Sequence, residues 1–298
     1  MPWIASALAG GWIATHACSP AVRSWDRSSL PLRRADELSY RIGGPRESAT
    51  GIALFHGLVS SGDVFGTTPD ALARDHRVVV PDLLGFGRSL ATTRTDFSTT
   101  AHTDALRTLI EREIPGDRPL RIGAHSMGCA LALRFAATYS GRVERVVCLG
   151  TPAWTGERDA RDGLDRLGPM AASLVLDQKV ARSICSLNCR HRTLAGVVAA
   201  AIAPRWPVPI ARQASLHTWD AYITTLEDQV LAVPWESLVD DLRDTDTEIR
   251  FVHGDDDAIG DRAFLERLAE RPHVDLEIVD GDHTLPASDP ALLVNALV

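Results

Sequence analysis

In the segment Leu120-Arg-Ile-Gly-Ala-His-Ser-Met-Gly-Cys, strand-type residues give way to a helical pattern with Ser126 at the corner. Small residues two places before and after a serine allow a turn tight enough to lift its hydroxyl clear of a sheet, where it can act as a nucleophile. Ala124 and Gly128 fill those places, so a methyl group stands where the usual pattern has its first glycine. An isolated match of this kind is equally a serine capping the helix that follows. A hydroxyl attacks only when a base takes its proton, so Ser126 calls for a histidine within hydrogen-bond reach. Ten histidines are available. His283 is one candidate: Asp280-Gly-Asp-His-Thr-Leu-Pro reads as a strand-end loop after the last strand-like run and before a C-terminal helix. His56 is expected to shape a turn, His125 to point away from its neighbour Ser126, and His253 to pack at a strand end. The histidine needs a carboxylate to fix its tautomer and stabilise its charged form. Asp255, Asp256 and Asp257 are candidates after Arg250-Phe-Val-His-Gly, although such a run also suits a solvated turn.

The elements that must position these groups are legible in outline. From residue 37 onward, short runs rich in Val and Ile alternate with longer helical patterns, the rhythm of a largely parallel sheet with crossover helices. Strands are expected at Leu38–Ile42, Gly51–Phe55, Arg77–Val80, Leu120–Gly123, Arg145–Leu149, Glu248–Val252 and Val274–Val279. Ser98 to Ile114 and Met127 to Tyr139 read as helices, stopped by Pro115-Gly116 and before Gly141. The alternation breaks between Thr151-Pro152 and Pro234, where helical pieces such as Asp165 to Cys185 and Arg190 to Ala203 stand without a convincing strand. This predicts a helical insertion at 153–234 in a core made of 37–152 and 235–298, with 1–36 as an N-terminal extension. Trp154, Trp206 and Trp219 lie in the insertion, where they either line an apolar substrate pocket or form its own small core.

At this point the chain resembles the α/β-hydrolase superfamily from about residue 37 to its end. Four blocks in order carry the resemblance: Leu54-Phe-His-Gly-Leu, Pro81-Asp-Leu-Leu-Gly-Phe-Gly-Arg-Ser, Ala124-His-Ser-Met-Gly, and finally Asp257 and His283. The resemblance implies a mostly parallel eight-stranded sheet flanked by helices, with the insertion as a cap. Its catalytic histidine stands in the loop between the last strand and a C-terminal helix, which makes His283 the strongest choice, and its Gly-x-x-Asp pattern selects Asp257, giving the order Ser126, Asp257, His283. It also implies an oxyanion hole made by the backbone amides of Leu58 and Met127. Asp82 and the Gly85-Phe-Gly87 turn are expected to tighten the loop after their strand. The implied reaction is hydrolysis of an ester, lactone or thioester of an apolar small molecule through an acyl-enzyme. The alternatives are a small-molecule receptor on the same fold, an acyl-transferring or cyclising tailoring enzyme, and a carbon–carbon bond hydrolase. A serine nucleophile argues against the aspartate-dependent epoxide hydrolases and haloalkane dehalogenases of this fold. No Gly-Gly-Gly run follows Leu58, unlike many lipases.

Composition narrows the remaining classes. The 298 residues are 45% hydrophobic and 23% charged, which suits a soluble globular chain with a sizeable core. A formal charge of −8 repels a phosphate backbone, so no nucleic-acid partner is expected. No membrane partner and no cofactor are expected either, and a homodimer is left open. Five scattered cysteines imply no disulfide framework, in keeping with a reducing, cytoplasmic setting. Cys185, Cys189 and His191 lack a fourth ligand for a metal, and buried helical thiols are the expected reading. Residues 3–18 are largely apolar without a preceding basic residue, which predicts a packing extension, with export or anchoring as the alternative.

Overall fold

The computed structural model of the protein describes residues 11–90, 93–116, 118–139, 141–168 and 177–298. Eight strands form a single sheet: β1 Leu32–Ala35, β2 Leu38–Gly43, β3 Gly51–Phe55, β4 Arg77–Pro81, β5 Leu120–His125, β6 Val143–Leu149, β7 Glu248–Gly254 and β8 Val274–Val279. Their order is β1-β2-β4-β3-β5-β6-β7-β8, antiparallel between β1, β2 and β4 and parallel from β4 onward.

All seven expected strands are present, and β1 is the addition. Its sequence Leu-Arg-Arg-Ala leaves three of four residues exposed, so no alternating apolar face announces it. Backbone pairing with β2 across a tight turn makes the strand, with Asp36 at φ 51 in the left-handed region. Part of the segment expected to be an extension, 1–36, is thus an edge of the sheet, and its arginines suit an unpaired outer rim.

The inner strands are buried on both faces, as parallel strands under crossover helices must be. On β3, Ala53 and Phe55 join one core layer while Ile52 and Leu54 join the other. Helices α1 (residues 11–18) and α2 (Pro20–Ser24) precede the sheet. Helix α3 (Thr99–Glu113) begins at the Ser98 side-chain cap, and α4 (Met127–Thr138) follows β5 directly. Between β6 and β7 the described insertion is helical: α5 Glu157–Asp165, α6 Gln178–Arg190, α7 Arg192–Ile202 and α8 Trp219–Leu226. The expected helix from Asp165 to Cys185 is therefore the end of α5 and the first part of α6, and its residues 169–176 lie outside the described residues. Helix α9 (Pro290–Leu297) closes the chain. Among the described residues no helix is long and apolar enough to cross a membrane.

The loop after β3, which must approach Ser126, is fixed by a buried carboxylate. Asp63 sits in a short 3₁₀ turn, Gly62–Phe65, and is only 1% exposed. Its oxygens accept hydrogen bonds from Arg41 Nε on β2 at 2.9 Å, Arg88 after β4 at 2.6 Å and Gln213 of the insertion at 3.1 Å. Asp82 ties the same region, accepting from the backbone N–H of Gly62 at 2.9 Å and of Arg88 at 2.8 Å. Removing a buried charge leaves its partners uncompensated, at a cost of about 3–5 kcal/mol. Asp63→Ala is therefore expected to lose about that much stability, read from the urea midpoint, whereas Asp104→Ala on an exposed helical pair shifts it by less than about 1 kcal/mol.

Candidate active site

Five consecutive strands of the sheet order deliver their carboxyl ends to one place, where open α/β sheets gather ligands. Gly57 and Leu58 follow β3, Ser126 follows β5, Gly150 follows β6, Asp257 follows β7 and His283 follows β8.

Ser126 holds φ 54 and ψ −127, a conformation side-chain-bearing residues seldom adopt. Two contacts enforce it. Its N–H donates to Leu149 O at 2.9 Å, extending the β5–β6 pairing one residue past the strand. The helix that begins at Met127 then runs so close to β3 that a Cβ on Gly128 would lie 2.5 Å from Phe55 O. Ala124, the departure from the glycine pattern, is buried in the core beside Phe55 and Cys148, and its methyl fits there. Gly57 is needed on the other side, since a Cβ there would come within 2.9 Å of Ser126 Cβ.

The Ser126 hydroxyl lies 3.0 Å from His283 Nε2, and His283 Nδ1 lies 2.9 Å from Asp257 Oδ2. Burial pushes the Asp257 carboxyl up, but the neighbouring His283, their hydrogen bond and the Ile259 N–H outweigh it and hold it below the usual carboxylate range. An ionised carboxylate only accepts hydrogen bonds, so His283 Nδ1 carries the proton and Nε2 presents its lone pair to the serine. The Asp257 side chain is fully buried and that of His283 is 21% exposed, so the imidazole can meet a substrate and the carboxylate cannot.

The neighbouring aspartates do other work. Asp255 accepts from the Gly281 N–H at 3.0 Å and Asp256 N–H donates to Gly281 O at 3.0 Å, which draws the His283 loop toward β7. The backbone N–H groups of Leu58 and Met127 have no acceptor among the described residues. His56 accepts the Leu83 N–H at Nε2, 2.8 Å away, and its Nδ1 meets Gly57 O at 2.7 Å, so it shapes the turn as expected. His253 is buried at the end of β7.

Several positioning groups gave no sequence signal. A Cβ on Gly150, at φ 56, would stand 3.0 Å from Asp257 Oδ2 and 3.1 Å from His283 Nδ1, so only glycine leaves that hydrogen bond room. His125 makes no hydrogen bond to Ser126. Its Nε2–H donates to His283 O at 3.0 Å and its ring lies 4.8 Å from the His283 ring. Arg205 of the insertion pairs with Asp282, next to His283, at 2.8 Å.

The three tryptophans are not brought together. Trp154 is buried over Gly163, where a Cβ would strike its ring. Trp206 lies 6.3 Å from the His125 ring and Trp219 lies 6.1 Å from Tyr222. A cavity of ≈ 370 Å³ does open beside Leu58, but none of the three lines it. Leu58, Val59, Ile184, Val198, Ile202 and Tyr222 are among its walls. Cys185 also reaches this cavity, with its sulfur 3.7 Å from His217 Nδ1, and Cys189 Sγ donates to His217 O at 3.5 Å.

A family model described as alpha/beta hydrolase fold matches residues 52–289. The chain is 27% identical to the probable lysophospholipase BODYGUARD 3 of Arabidopsis thaliana over 157 residues, 47% of this chain and 31% of that protein. It is 29% identical to Lipase 3 of Moraxella sp. over 41% of this chain and 38% of that protein. The chain spans about a third to under half of the length of the first curated relatives it matches. Among solved structures, an esterase from Rhodococcus sp. superposes with a TM-score of 0.62 at 20% identity, covering 90% of this chain and 96% of that one. E-2-(acetamidomethylene)succinate hydrolase superposes with a TM-score of 0.62 at 21% identity, covering 90% and 97%.

Burial pushes His102 and His125 down to about 3, and also lowers His56, His217 and His253. A histidine lowered from about 6.5 costs nothing at pH 8, where both states are neutral. As pH falls through about 6.5 the unfolded chain takes up protons that the folded one refuses, so stability falls with pH, by at most about 1.4 kcal/mol per pH unit per histidine. The urea midpoint is expected to drop between pH 7 and pH 5, and His102→Gln, far in sequence from the site, should flatten that slope by up to one proton.

Proposed function

The chain belongs to the alpha/beta hydrolase fold family, and from that premise we propose that it is a serine hydrolase that cleaves carboxylic esters, lactones or thioesters of apolar small molecules. The observation that carries this reading is the hydrogen-bonded sequence Ser126, His283, Asp257, at 3.0 and 2.9 Å, beside two backbone N–H groups without acceptors. In the proposed reaction His283 Nε2 takes the Ser126 proton as Oγ attacks the carbonyl carbon. Negative charge gathers on the carbonyl oxygen, where the Leu58 and Met127 amides would meet it at the positive end of α4. The imidazolium that forms faces Asp257, which stabilises it without taking its proton. His283 then protonates the leaving oxygen or sulfur, and the acyl group remains on Ser126. Water, deprotonated by the same imidazole, returns the acid and the free serine.

The ≈ 370 Å³ cavity beside Leu58 supports an apolar substrate portion, because its walls are largely aliphatic. Relatives named as a probable lysophospholipase and a lipase support an ester as the bond broken.

Ser126→Ala is expected to fold normally, to escape labelling by a fluorophosphonate probe, and to lose about 10⁴-fold or more in p-nitrophenyl ester turnover. Retained turnover above a few per cent assigns the nucleophile elsewhere. A parent protein that shows neither labelling nor turnover would be a binder, and an ester product with an added alcohol would make it a transferase.

Asp257→Asn is expected to cost on the order of 10⁴ in rate, as the corresponding change does in the Ser-His-Asp triad of serine proteases, because the amide favours the wrong imidazole tautomer. Asp256→Asn should stay within about tenfold, a barrier change of about 1.4 kcal/mol. Comparing kcat for the two variants checks the register.

A further inference from the structure

Eight of the eleven large apolar side chains exposed among the described residues lie on α1, α6 and α7. That clustering is not the scatter expected of an ordinary surface. Ile184 and Leu187 stand three apart on α6, and Leu194, Val197, Val198 and Ile202 recur at spacings of three and four on α7. Each helix therefore presents an apolar stripe to solvent. The stripe is continuous with the interior, because Ile184, Val198 and Ile202 are walls of the cavity that reaches Leu58. On its other flank, Val197 shares a shallow apolar groove of ≈ 490 Å³ with Trp12 and Ile13 of α1.

The charge around the stripe is opposite to that of the whole chain. From Gln178 to Ile202 the sequence holds Lys179, Arg182, Arg190 and Arg192 and no Asp or Glu, within a chain of net charge −8. Arg192 is spent on the Ser215 and His217 carbonyls. Lys179, Arg182 and Arg190 are exposed and have no ion-pair partner among the described residues. The carboxylates beside α6 are Asp177, which caps its start, Glu227, which accepts from Gln178, and Asp220 of α8, whose charge acts on the Cys185 thiol at mid-helix.

We propose that this face of the insertion docks on an anionic phospholipid surface, with the apolar stripe in the acyl boundary and the three unpaired cations at the headgroups. An apolar helical face with a basic rim is the chemistry of an interfacial segment. A second copy of the chain is a poorer occupant, since two such faces would set their unpaired cations against each other. Docking places the mouth of the cavity at the lipid, so that a single chain can pass toward Leu58 without crossing water. This last step rests on the proposed ester hydrolysis, whereas the docking does not.

The test uses the full chain carrying Ser126→Ala, which prevents turnover during binding, with sedimentation on phosphatidylcholine vesicles with and without phosphatidylglycerol. Binding is expected on the anionic vesicles, weaker on the neutral ones and weakened by salt. Each cation near such a surface contributes about fivefold, the equivalent of about 1 kcal/mol, so Lys179→Glu with Arg182→Glu should weaken binding by at least about 25-fold. Leu187→Ser with Leu194→Ser should also weaken it. In the Ser126 background both pairs should turn over a soluble short-chain ester at the parent rate, which checks their folding. Absence of binding to anionic vesicles, equal binding to neutral ones, or unchanged binding by the charge pair overturns the proposal. So does a stable dimer in sedimentation that the leucine pair splits, because the face would then belong to a second copy.

Discussion

The backbone at Ser126 is the constraint on which the site depends. A residue with a side chain held at φ 54 stores about 1–3 kcal/mol of strain, and the surrounding fold must overdetermine it. β6 does so through Leu149 O, which holds the Ser126 N–H, and β3 does so through the close passage of Gly128 over Phe55 O. The strain turns the hydroxyl out of the sheet just where α4 begins, so one corner exposes the oxygen and leaves the first amide of a helix without a partner. Gly57 and Gly150 then keep side-chain volume out of the space that the serine, the imidazole and the carboxylate share.

Electrostatics around that corner favour a single arrangement of protons. Asp257 is buried, yet its hydrogen bonds keep it ionised, and this fixes the proton on His283 Nδ1. His125, neutral through burial, adds a neighbouring ring without adding a charge and anchors the His283 carbonyl. Had it been charged, a second cation 4.8 Å from the His283 ring would oppose formation of the imidazolium. The cost of keeping such rings neutral in the interior emerges as acid sensitivity of the fold rather than in the chemistry.

The insertion is bound to the core through polar contacts at the same carboxyl edge. Gln213 reaches Asp63, Arg205 reaches Asp282, and His16 of α1 meets Pro204 O at 2.9 Å. Its helices α6 and α7 leave their apolar stripe outward and carry cations in a chain that is acidic overall. Net charge averages over that asymmetry, so a chain that is acidic overall carries a locally basic face.

The strand rhythm and the turn at Ser126 are legible because both are local. Seven strands follow from Val and Ile runs and the Ser126 corner from one turn, while His283 among ten histidines and Asp257 over two equivalent neighbours are selected by family pattern. The edge strand β1 is not legible, since its pairing is made by the backbone and its side chains face water. Nor are the parts of Gly150 and His125, which arise from contacts between chain segments more than a hundred residues apart. The tryptophans show the same limit from the other side. Their apolar area foretells burial, but which surface each covers depends on packing: Gly163 for Trp154, His125 for Trp206, and aliphatic side chains rather than indoles for the cavity at Leu58. Residue type and short-range spacing determined the strands and the Ser126 corner, whereas the space between Ser126, His283 and Asp257 was decided by the approach of distant backbone segments, which no local pattern encodes.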